Sequence, residues 1–308
     1  MGLAKRVSLI LNFGHGAQLS HPLQRASERF AQLINERTDG KVTIDVFGNT
    51  QLGQEREMVE GLQFGTVDLT IVSTGPLGGF VPQIGVVDLP FLFNSSEHAY
   101  KVLDGQIGQS ILSQFESRGI VGLAFMENGW RHLTVSNVKV TKPEDLKGLK
   151  IRTMENRVHM DAFRAMGASP VPMVWGEVYT GLQQGIIDGQ ENPVPIVYTN
   201  ALWEVQKYYA LTGHFYTPYA FLMSKATFDK LPKDIQDVFK ETALEVANYQ
   251  RQLMEEDTNH QIDLLREQGM DVYEVDRSLF QEATRSVYDK YEAQFGKELL
   301  DAIGACGE

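Results

Sequence analysis

The sequence contains a single cysteine, Cys306, among 308 residues. One cysteine excludes a disulfide within the chain and any metal site built from several cysteines. Basic residues are also few, since 28 Lys and Arg face 40 Asp and Glu and leave a formal net charge of -12. This balance argues against a nucleic-acid backbone as partner, although local cationic side chains can still bind a small anion.

No apolar run approaches the roughly 18 residues that a membrane-spanning helix needs. The residues from Met1 to Phe13 carry Lys5 and Arg6 before a short apolar stretch, as a signal peptide does. Because no small-residue cleavage site follows, we interpret Val7 to Phe13 as a first β-strand. The sequence then indicates either a cytoplasmic protein or one from which a signal peptide has been removed.

The common catalytic and cofactor motifs are missing. No glycine-rich phosphate loop, nucleophile elbow, paired-histidine zinc motif or calcium loop occurs at the required spacing. Structural histidines are far commoner than metal ligands, so we expect no metal site from the scattered histidines that a fold could bring together, which are His15, His21, His132, His159 and His214. We therefore predict a binding protein with no cofactor and no catalytic residue, although missing motifs do not exclude an unfamiliar active site.

One pattern occurs twice in the chain. The first copy runs from Glu57 to Asp68 through Gly-Leu-Gln and a second glycine, Gly65, and the second copy runs from Glu177 to Asp188 with Gly185 at the same spacing. Each copy has helical spacing, then a glycine suited to a helix C-cap, then an apolar run, which predicts helix, tight turn and strand. Chance recurrence is the alternative, but matches in register with similar flanks favour two similar α/β lobes, with a ligand crevice between them.

The remaining pattern agrees with two α/β lobes, as the chain length does. Alternating helical and strand-like segments before Val72 predict a largely parallel sheet. A second series has expected strands at Val121 to Phe125, His132 to Val135, Lys150 to Thr153 and Tyr208 to Leu211, and an expected helix at Val158 to Met166.

Pro232 opens a segment without glycine or further proline until Gly269. Its helical spacing predicts one long helix, and at about 1.5 Å per residue this helix exceeds the length that one small lobe needs. A coiled-coil helix is the alternative, but no clean heptad persists. We prefer a helix that spans both lobes.

Two arginines are candidates for binding a carboxylate. Arg152 lies at the carboxyl end of an expected strand, where ligands of α/β lobes bind, and Arg131 lies near the expected beginning of another. A guanidinium there offers a planar fork to a carboxylate. A surface ion pair is the alternative for each arginine. Asn192 would add an amide or form an Asx turn before Pro193, and the aromatic residues Trp175 and Tyr216 would line the site or pack in the core.

Several segments together resemble the solute-binding proteins of tripartite ATP-independent periplasmic (TRAP) transporters, the DctP-like substrate-binding subunits. They are the Gly-Leu-Gln repeat, Gln51 to Gly53, Asp145 to Arg152, Met166 to Met173, Glu177 to Tyr179 and Asp188 to Pro193. The resemblance implies an α/β fold of two lobes with a long helix spanning both, and periplasmic capture of a small organic acid for delivery to TRAP membrane subunits. We place lobe I at 1–125 plus 213–252 and lobe II at 126–212 plus 253–308. Segments near Phe125 to Asn128 and Leu211 to His214 are the expected hinges for closure over the ligand.

The resemblance also implies roles for individual residues. Arg152 matches the carboxylate-clamping arginine, Arg131 a second common arginine, Asn192 the amide, and Trp175 the aromatic residue that often covers the ligand. The other expected ligand-binding residues are Glu155, His15, Ser73, Thr74, His214 and Tyr216. Relatives commonly have a proline where this chain has Arg157, which leaves the ligand polarity at that edge open.

Many neutral hydrogen-bonding groups around one cationic clamp favour a sugar acid, a uronate or an aldonate. A C4-dicarboxylate would require a second cationic pole, and it stays the alternative ligand. Two other functions remain open at this point: an α/β enzyme, a lyase or isomerase that uses a histidine and Glu155 as acid and base, and a binding protein that reports its ligand to a sensor.

Overall fold

A computed structural model describes residues 9–307, so part of the expected strand Val7 to Phe13 and the signal-like residues before it lie outside the described residues. The chain forms two compact units. Unit 1 comprises the described chain up to Val72 together with Leu112–Met126 and Tyr219–Leu253. Unit 2 comprises Ser73–Ile111, Glu127–Pro218 and the described chain from Met254 onward.

The described residues form strands and helices in an alternating order. The strands are β1 (Leu9–His15), β2 (Val42–Phe47), β3 (Leu69–Ser73), β4 (Ile120–Val135), β5 (Lys150–Thr153), β6 (Ser169–Pro172), β7 (Gly189–Asn192), β8 (Tyr208–Ser224) and β9 (Asp271–Glu274). The helices are α1 (Pro22–Arg37), α2 (Glu55–Phe64), α3 (Ser96–Asp104), α4 (Gln106–Ser113), α5 (Arg157–Ala165), α6 (Trp175–Gln183), α7 (Val194–Thr199), α8 (Lys225–Phe228), α9 (Lys233–Glu267), α10 (Arg277–Ala283), α11 (Arg285–Phe295) and α12 (Lys297–Ala305). Short 3-10 helices include Gly75–Gly79 and Pro82–Asp88.

Unit 1 is built on parallel strands. β1 pairs in parallel with β2 on one side and with β3 on the other, and β8 follows β3 in the sheet order. The apolar face of α1 packs on this sheet through Phe30, whose ring meets that of Phe221 edge to face at 4.7 Å between centroids. Phe13 stacks on Phe221 at 5.1 Å. These aromatic contacts form the centre of the unit 1 core.

Unit 2 has a mixed sheet. β4 pairs antiparallel with β7, whereas β5 pairs in parallel with both β6 and β7, and β9 pairs in parallel with β8. α6 lies against this part of the chain through buried Val178 and Leu182, which belong to one core cluster with Tyr209 and Leu265. The carboxyl ends of β5 and β7 therefore present Arg152 and Asn192 from neighbouring parallel strands.

The internal repeat has the predicted structure in both units. α2 ends at Phe64 and its C-cap, Gly65, has φ 74°, after which β3 begins. α6 ends at Gln183, with Gln184 as the cap residue, and Gly185 follows with φ 68° before β7. The predicted order of helix, tight turn and strand is confirmed in both copies, whereas the predicted glycine C-cap is confirmed for Gly65 only, since Gln184 caps the second helix.

The long helix is also confirmed. α9 has 35 residues and occupies the expected segment between Pro232 and Gly269. It contributes 233–253 to unit 1 and 254–267 to unit 2. Together with the mixed α/β architecture, this helix agrees with the predicted fold class.

Three strand predictions were wrong in extent. Val121 to Phe125 and His132 to Val135 were expected as separate strands, but β4 runs without interruption through the intervening polar residues. Within this stretch Gly129 has φ 114°, a backbone conformation that favours glycine, and the strand continues on both sides of it. β8 likewise extends from Tyr208 to Ser224 instead of ending at Leu211.

The two units differ from the expected lobes mainly in residues 73–111, which belong to unit 2 rather than to the first lobe. Hydrogen bonds inside unit 2 hold this segment, because Trp130 Nε1 donates to Ser96 Oγ at 2.9 Å and Asn156 Nδ2 donates to Asp88 at 2.7 Å. The chain changes unit after Met126, within the first expected hinge, and after Pro218, beyond the second. Hinge closure stays a prediction.

Candidate functional site

Arg152 is a buried cation near the carboxyl end of β5. Only 3% of the residue is exposed, and its Nε donates a hydrogen bond to the Met173 carbonyl oxygen at 2.9 Å. The guanidinium carbon lies 5.5 Å from the ring centroid of Trp175, the first residue of α6. The carbonyl and the half-buried indole thus orient the guanidinium, and the ring face stabilises its charge. The structure therefore brings together two of the predicted site residues, Arg152 and Trp175.

Arg131 lies inside β4 rather than at the beginning of a strand, and it is fully buried. Its Nε donates to Glu191 Oε2 at 2.5 Å, and its Nη2 donates to Glu191 Oε1 at 2.8 Å and to the Glu191 carbonyl oxygen at 2.7 Å. Burial alone would raise the pKa of Glu191, but Arg131 holds that pKa well below its usual range. The pair is therefore ionised, and the Arg131 charge is offset within unit 2.

His214 joins this buried pair. Its Nε2 lies 3.4 Å from Glu191 Oε2, and its Nδ1 lies 2.6 Å from Thr212 Oγ1. Burial lowers the pKa of His214, although Glu191 acts in the opposite direction. Arg131, Glu191 and His214 consequently form one polar cluster, which includes two predicted site residues.

Asn192 ends β7 and is 5% exposed. Its Nδ2 donates to Gln190 Oε1 at 2.6 Å, and its carbonyl oxygen accepts from the Tyr209 hydroxyl at 2.9 Å. Gln190 in turn donates to Thr134 Oγ1 at 2.9 Å. The amide is thus held by a chain of hydrogen bonds from neighbouring strands.

Ser73 and Thr74 follow one another at the end of β3. Ser73 Oγ accepts from Asn128 Nδ2 at 3.2 Å, and Thr74 Oγ1 donates to Asp88 Oδ1 at 2.7 Å. Both residues are buried. Glu155 follows β5 and is exposed.

Tyr216 is buried in an aromatic cluster. Its ring meets those of Trp130, Phe93 and Tyr100 edge to face, with centroid distances of 5.3, 5.6 and 6.5 Å. These contacts are typical of core packing, which was the alternative interpretation of Tyr216.

His15 belongs to unit 1, whereas all the other predicted site residues belong to unit 2. It is fully buried at the end of β1, and its Nε2 lies 2.9 Å from Gln24 Oε1. Burial lowers the pKa of His15 to about 4, so the ring is neutral at pH 7.

Sequence reasoning missed three side chains that hold the predicted residues in place: Glu191, Asp88 and Asn128. Glu191 lies within Asp188 to Pro193, one of the segments that carry the family resemblance. The sequence therefore indicated its position but not its pairing with Arg131. Asp88 lies in an apolar, proline-containing stretch, where nothing in the pattern indicated a hydrogen-bonded carboxylate.

Unit 2 also contains a cavity of about 830 Å³. Its lining includes Trp130, His132, Glu127 and Arg277, and none of the predicted site residues. Arg277 donates to the carbonyl oxygens of Thr212 and Gly213 at 3.2 and 3.0 Å, so its guanidinium supports the chain segment that leads to His214.

Two further observations are limited to residues 9–307, the part of the chain that the structure describes. Their acidic, histidine and cysteine side chains form no group of three that could hold a metal ion. None of their helices combines the length and apolar character needed to cross a membrane.

Comparison with known proteins agrees with this architecture. The model of one family, described as bacterial extracellular solute-binding protein, family 7, matches residues 13–294. The chain belongs to this family. The resemblance to TRAP solute-binding proteins is thereby confirmed, and with it the two-lobed α/β fold.

Three similar proteins illustrate the relationship. The 2,3-diketo-L-gulonate-binding periplasmic protein YiaO of Escherichia coli is 38% identical over 298 residues, which cover 95% of this chain and 90% of that protein. A TRAP periplasmic solute-binding protein from Bordetella, with density assigned to pantoate, is 43% identical with a TM-score of 0.94, and the match covers 96% of this chain and 98% of the other. One from a Polaromonas species, bound to D-erythronate, is 40% identical with a TM-score of 0.95, covering 97% and 99%.

Proposed function

We propose that this protein is a periplasmic receptor that captures a hydroxylated monocarboxylic acid of the sugar-acid class, a uronate or an aldonate, and delivers it to TRAP membrane subunits. The observation that carries the proposal is the buried Arg152 guanidinium beside Trp175 at the end of β5. The protein binds its ligand without chemical conversion.

Arg152 has the chemistry of a carboxylate clamp. Its planar guanidinium can form two parallel, charge-assisted hydrogen bonds with one carboxylate, which an ammonium group cannot reproduce. Anchoring of Nε on the Met173 carbonyl removes part of the side-chain freedom that binding would otherwise restrict. Asn192, on the neighbouring strand β7, is the amide that completes the clamp in this proposal.

The charge distribution favours a monocarboxylate. Glu191 offsets the charge of Arg131, so Arg131 does not supply the second cationic pole that a C4-dicarboxylate requires. The ligands named for the three similar proteins, 2,3-diketo-L-gulonate, pantoate and D-erythronate, are all hydroxylated monocarboxylates. These observations support a sugar acid over succinate.

The remaining proposed ligand-binding residues provide polar or aromatic contacts. They are Trp175, Glu155, Ser73, Thr74, Tyr216 and His15, while Arg131 and His214 act through Glu191. Where the partner is buried, a ligand that lacks the corresponding hydroxyl group leaves that partner unpaired, at a cost of about 1 to 3 kcal/mol for each group. Such a site discriminates strongly against deoxy analogues.

Calorimetry on purified protein tests the proposal with D-erythronate, D-gluconate, D-glucuronate, D-galacturonate and succinate. We expect one of the hydroxylated acids to bind most tightly and Arg152→Lys to weaken that binding by about tenfold or more, with Arg152→Ala worse. Arg266→Lys is the matched control, because Arg266 is an exposed residue that pairs with Asp263 on its own helix. Tightest binding of succinate would overturn the ligand class, and wild-type affinity of Arg152→Ala would remove Arg152 from the site.

A further inference from the structure

Asp88 is a carboxylate inside unit 2 to which the proposed site assigns no role. It ends the 3-10 helix Pro82–Asp88 and is fully buried. Each of its oxygens accepts a hydrogen bond, Oδ1 from Thr74 Oγ1 at 2.7 Å and Oδ2 from Asn156 Nδ2 at 2.7 Å. Because Asp88 has no exposed surface, it does not contact a ligand directly and acts through the groups around it, chiefly these two hydrogen-bond partners.

Both partners directly follow a proposed ligand-binding residue in the chain. Thr74 follows Ser73 and is itself a proposed ligand-binding residue, and Asn156 follows Glu155. The carboxylate therefore links the chain at the end of β3 to the chain between β5 and α5. It thereby connects two segments that are distant in sequence.

Asn156 is itself fixed on every side. Its Nδ2 also donates to the Gly75 carbonyl oxygen at 3.2 Å, and its Oδ1 caps α5 by accepting from the His159 backbone N–H at 3.0 Å. A rotation of Asn156 away from Asp88 would therefore break the helix cap as well. The link from Asp88 thus defines the direction in which the chain leaves β5 at Glu155.

We propose that Asp88 is a positioning residue that fixes Ser73 and Glu155 relative to one another and so sets the selectivity of the site for hydroxyl groups on the ligand. The inference rests on the proposed function, since it takes Arg152 as the carboxylate partner and Ser73 and Glu155 as partners of the rest of the ligand. Asp88 makes no contact with the ligand and leaves carboxylate binding to Arg152.

Stability alone does not account for a carboxylate at this place. Burial raises the pKa of Asp88 to about 7, although hydrogen bonds from Thr74 and Asn156 act in the opposite direction. An ionised carboxylate in this position is therefore costly, and an uncharged side chain would avoid that cost. A carboxylate that lowers stability and yet joins two segments beside ligand-binding residues is consistent with a role in positioning those residues.

The test compares two acids with the same carbon skeleton, D-erythronate and butyrate, which lacks the hydroxyl groups. The measured quantity is the ratio of their affinities, with butyrate determined by displacement of bound D-erythronate. Asp88→Ala should lower this ratio by about tenfold or more, because the hydroxyl partners lose their fixed spacing while the carboxylate clamp persists. Arg152→Lys should weaken both acids and leave the ratio nearly unchanged.

Asp88→Asn is the rescue variant. Its amide oxygen can accept from Asn156 Nδ2 while its amide nitrogen donates to the Thr74 hydroxyl, which is able to accept. Both links then persist, and the ratio should stay within about threefold of wild type. Asp289→Ala removes an exposed aspartate from the same unit and controls for the change in net charge.

Asn156→Ser covers the case in which Asp88→Ala does not fold, because serine removes the Nδ2 donor to Asp88 while its hydroxyl oxygen can still cap α5, and it should give an intermediate loss of selectivity. Equal weakening of both acids in Asp88→Ala, or an unchanged ratio, would overturn the inference, as would an Asp88→Asn ratio as low as that of Asp88→Ala. If the wild-type protein bound none of these acids and no other sugar acid, the proposed function itself would fail instead.

Discussion

Asp68 in unit 1 and Asp188 in unit 2 make the same pair of hydrogen bonds to a neighbouring strand. Asp68 donates its N–H to the Asn12 carbonyl oxygen at 3.1 Å, and its Oδ2 accepts from the Asn12 N–H at 2.9 Å. Asp188 does the same with Lys150, at 2.8 and 2.7 Å. Each aspartate thus satisfies both backbone groups of one residue, which explains why the repeat ends in aspartate in both copies.

Removal of either carboxylate should destabilise the protein. Asp68→Ala and Asp188→Ala each remove the acceptor of a backbone N–H near the surface, so we expect the free energy of unfolding to fall by about 0.5 to 1.5 kcal/mol. Asp68→Ala should have the larger effect, because Asp68 Oδ1 also accepts from Thr227 Oγ1 at 2.7 Å. Urea denaturation measures both values.

The same two variants separate stability from binding. Lys150 opens β5, the strand that carries the carboxylate clamp Arg152, whereas Asn12 belongs to β1, whose proposed site residue is the neutral His15. Asp188→Ala should therefore weaken ligand binding severalfold, and Asp68→Ala should leave binding closer to wild type. Equal losses of affinity in the two variants would contradict this assignment.

The turn glycines of the repeat allow backbone strain to be tested separately from side-chain packing. Gly65 and Gly185 have φ of 74° and 68°, and a Cβ at either position would meet no atom within 4 Å. Gly65→Ala and Gly185→Ala should each cost about 1 kcal/mol, from the left-handed conformation alone. Gly304→Ala is the control, since this glycine lies in α12 with open space around it and without positive φ, and alanine there should be neutral or stabilising. The melting temperatures of the three variants test this expectation. An equal shift in all three would contradict it.

The repeat, α9 and the place of Arg152 could be predicted from the sequence because each depends on local signals: glycine after a helical pattern, a long segment without breakers, and a short strand with a polar end. The continuation of β4 could not, since Glu127, Asn128 and Gly129 have the composition of a loop. Backbone pairing overrides that local preference, and Gly129 accommodates the distortion with its positive φ.

At the site, the sequence failed mainly to predict contacts between residues that are distant along the chain. Arg131 was expected to bind ligand, which stays a prediction, and the sequence did not indicate that its guanidinium contacts Glu191, 60 residues away. No local pattern distinguishes an arginine that meets an internal carboxylate from one that meets a ligand. Asp88 and Asn156 are separated by 68 residues and pose the same difficulty.

The Arg131–Glu191 pair should be strongly coupled. Glu191→Gln leaves the buried Arg131 without a counter-charge, and we expect a loss of about 3 to 5 kcal/mol in unfolding free energy. Arg131→Met combined with Glu191→Gln removes both charges and should recover much of that loss, because the desolvation cost disappears with the ions. A double-mutant cycle by urea denaturation measures the coupling, and additive effects of the two single changes would argue against a buried ion pair.

Asp88 should leave a signature in the pH dependence of stability. Its pKa is about 7 in the folded protein because of burial, and about 3.9 in an unfolded chain. Between these values the folded protein binds more protons than the unfolded chain, so this group's contribution to unfolding free energy is fully present below about pH 4 and is lost as pH rises through about 7. Asp88→Asn lacks this titration.

Neighbouring groups do not imitate the effect. Thr74 and Asn156 do not titrate, Arg131 and Glu191 stay charged over this range, and burial lowers the pKa of His159, 3.9 Å from Asp88, to about 3. Acidification destabilises the protein through other buried histidines, such as His15, but this effect is the same in wild type and in Asp88→Asn. The difference between the two proteins therefore isolates Asp88. From pH 4.5 to 8, urea denaturation should show wild type losing stability relative to Asp88→Asn by about 3 kcal/mol, with little further change above pH 8. Parallel curves across this range would mean that Asp88 titrates as in the unfolded chain, and its burial would then carry no electrostatic cost.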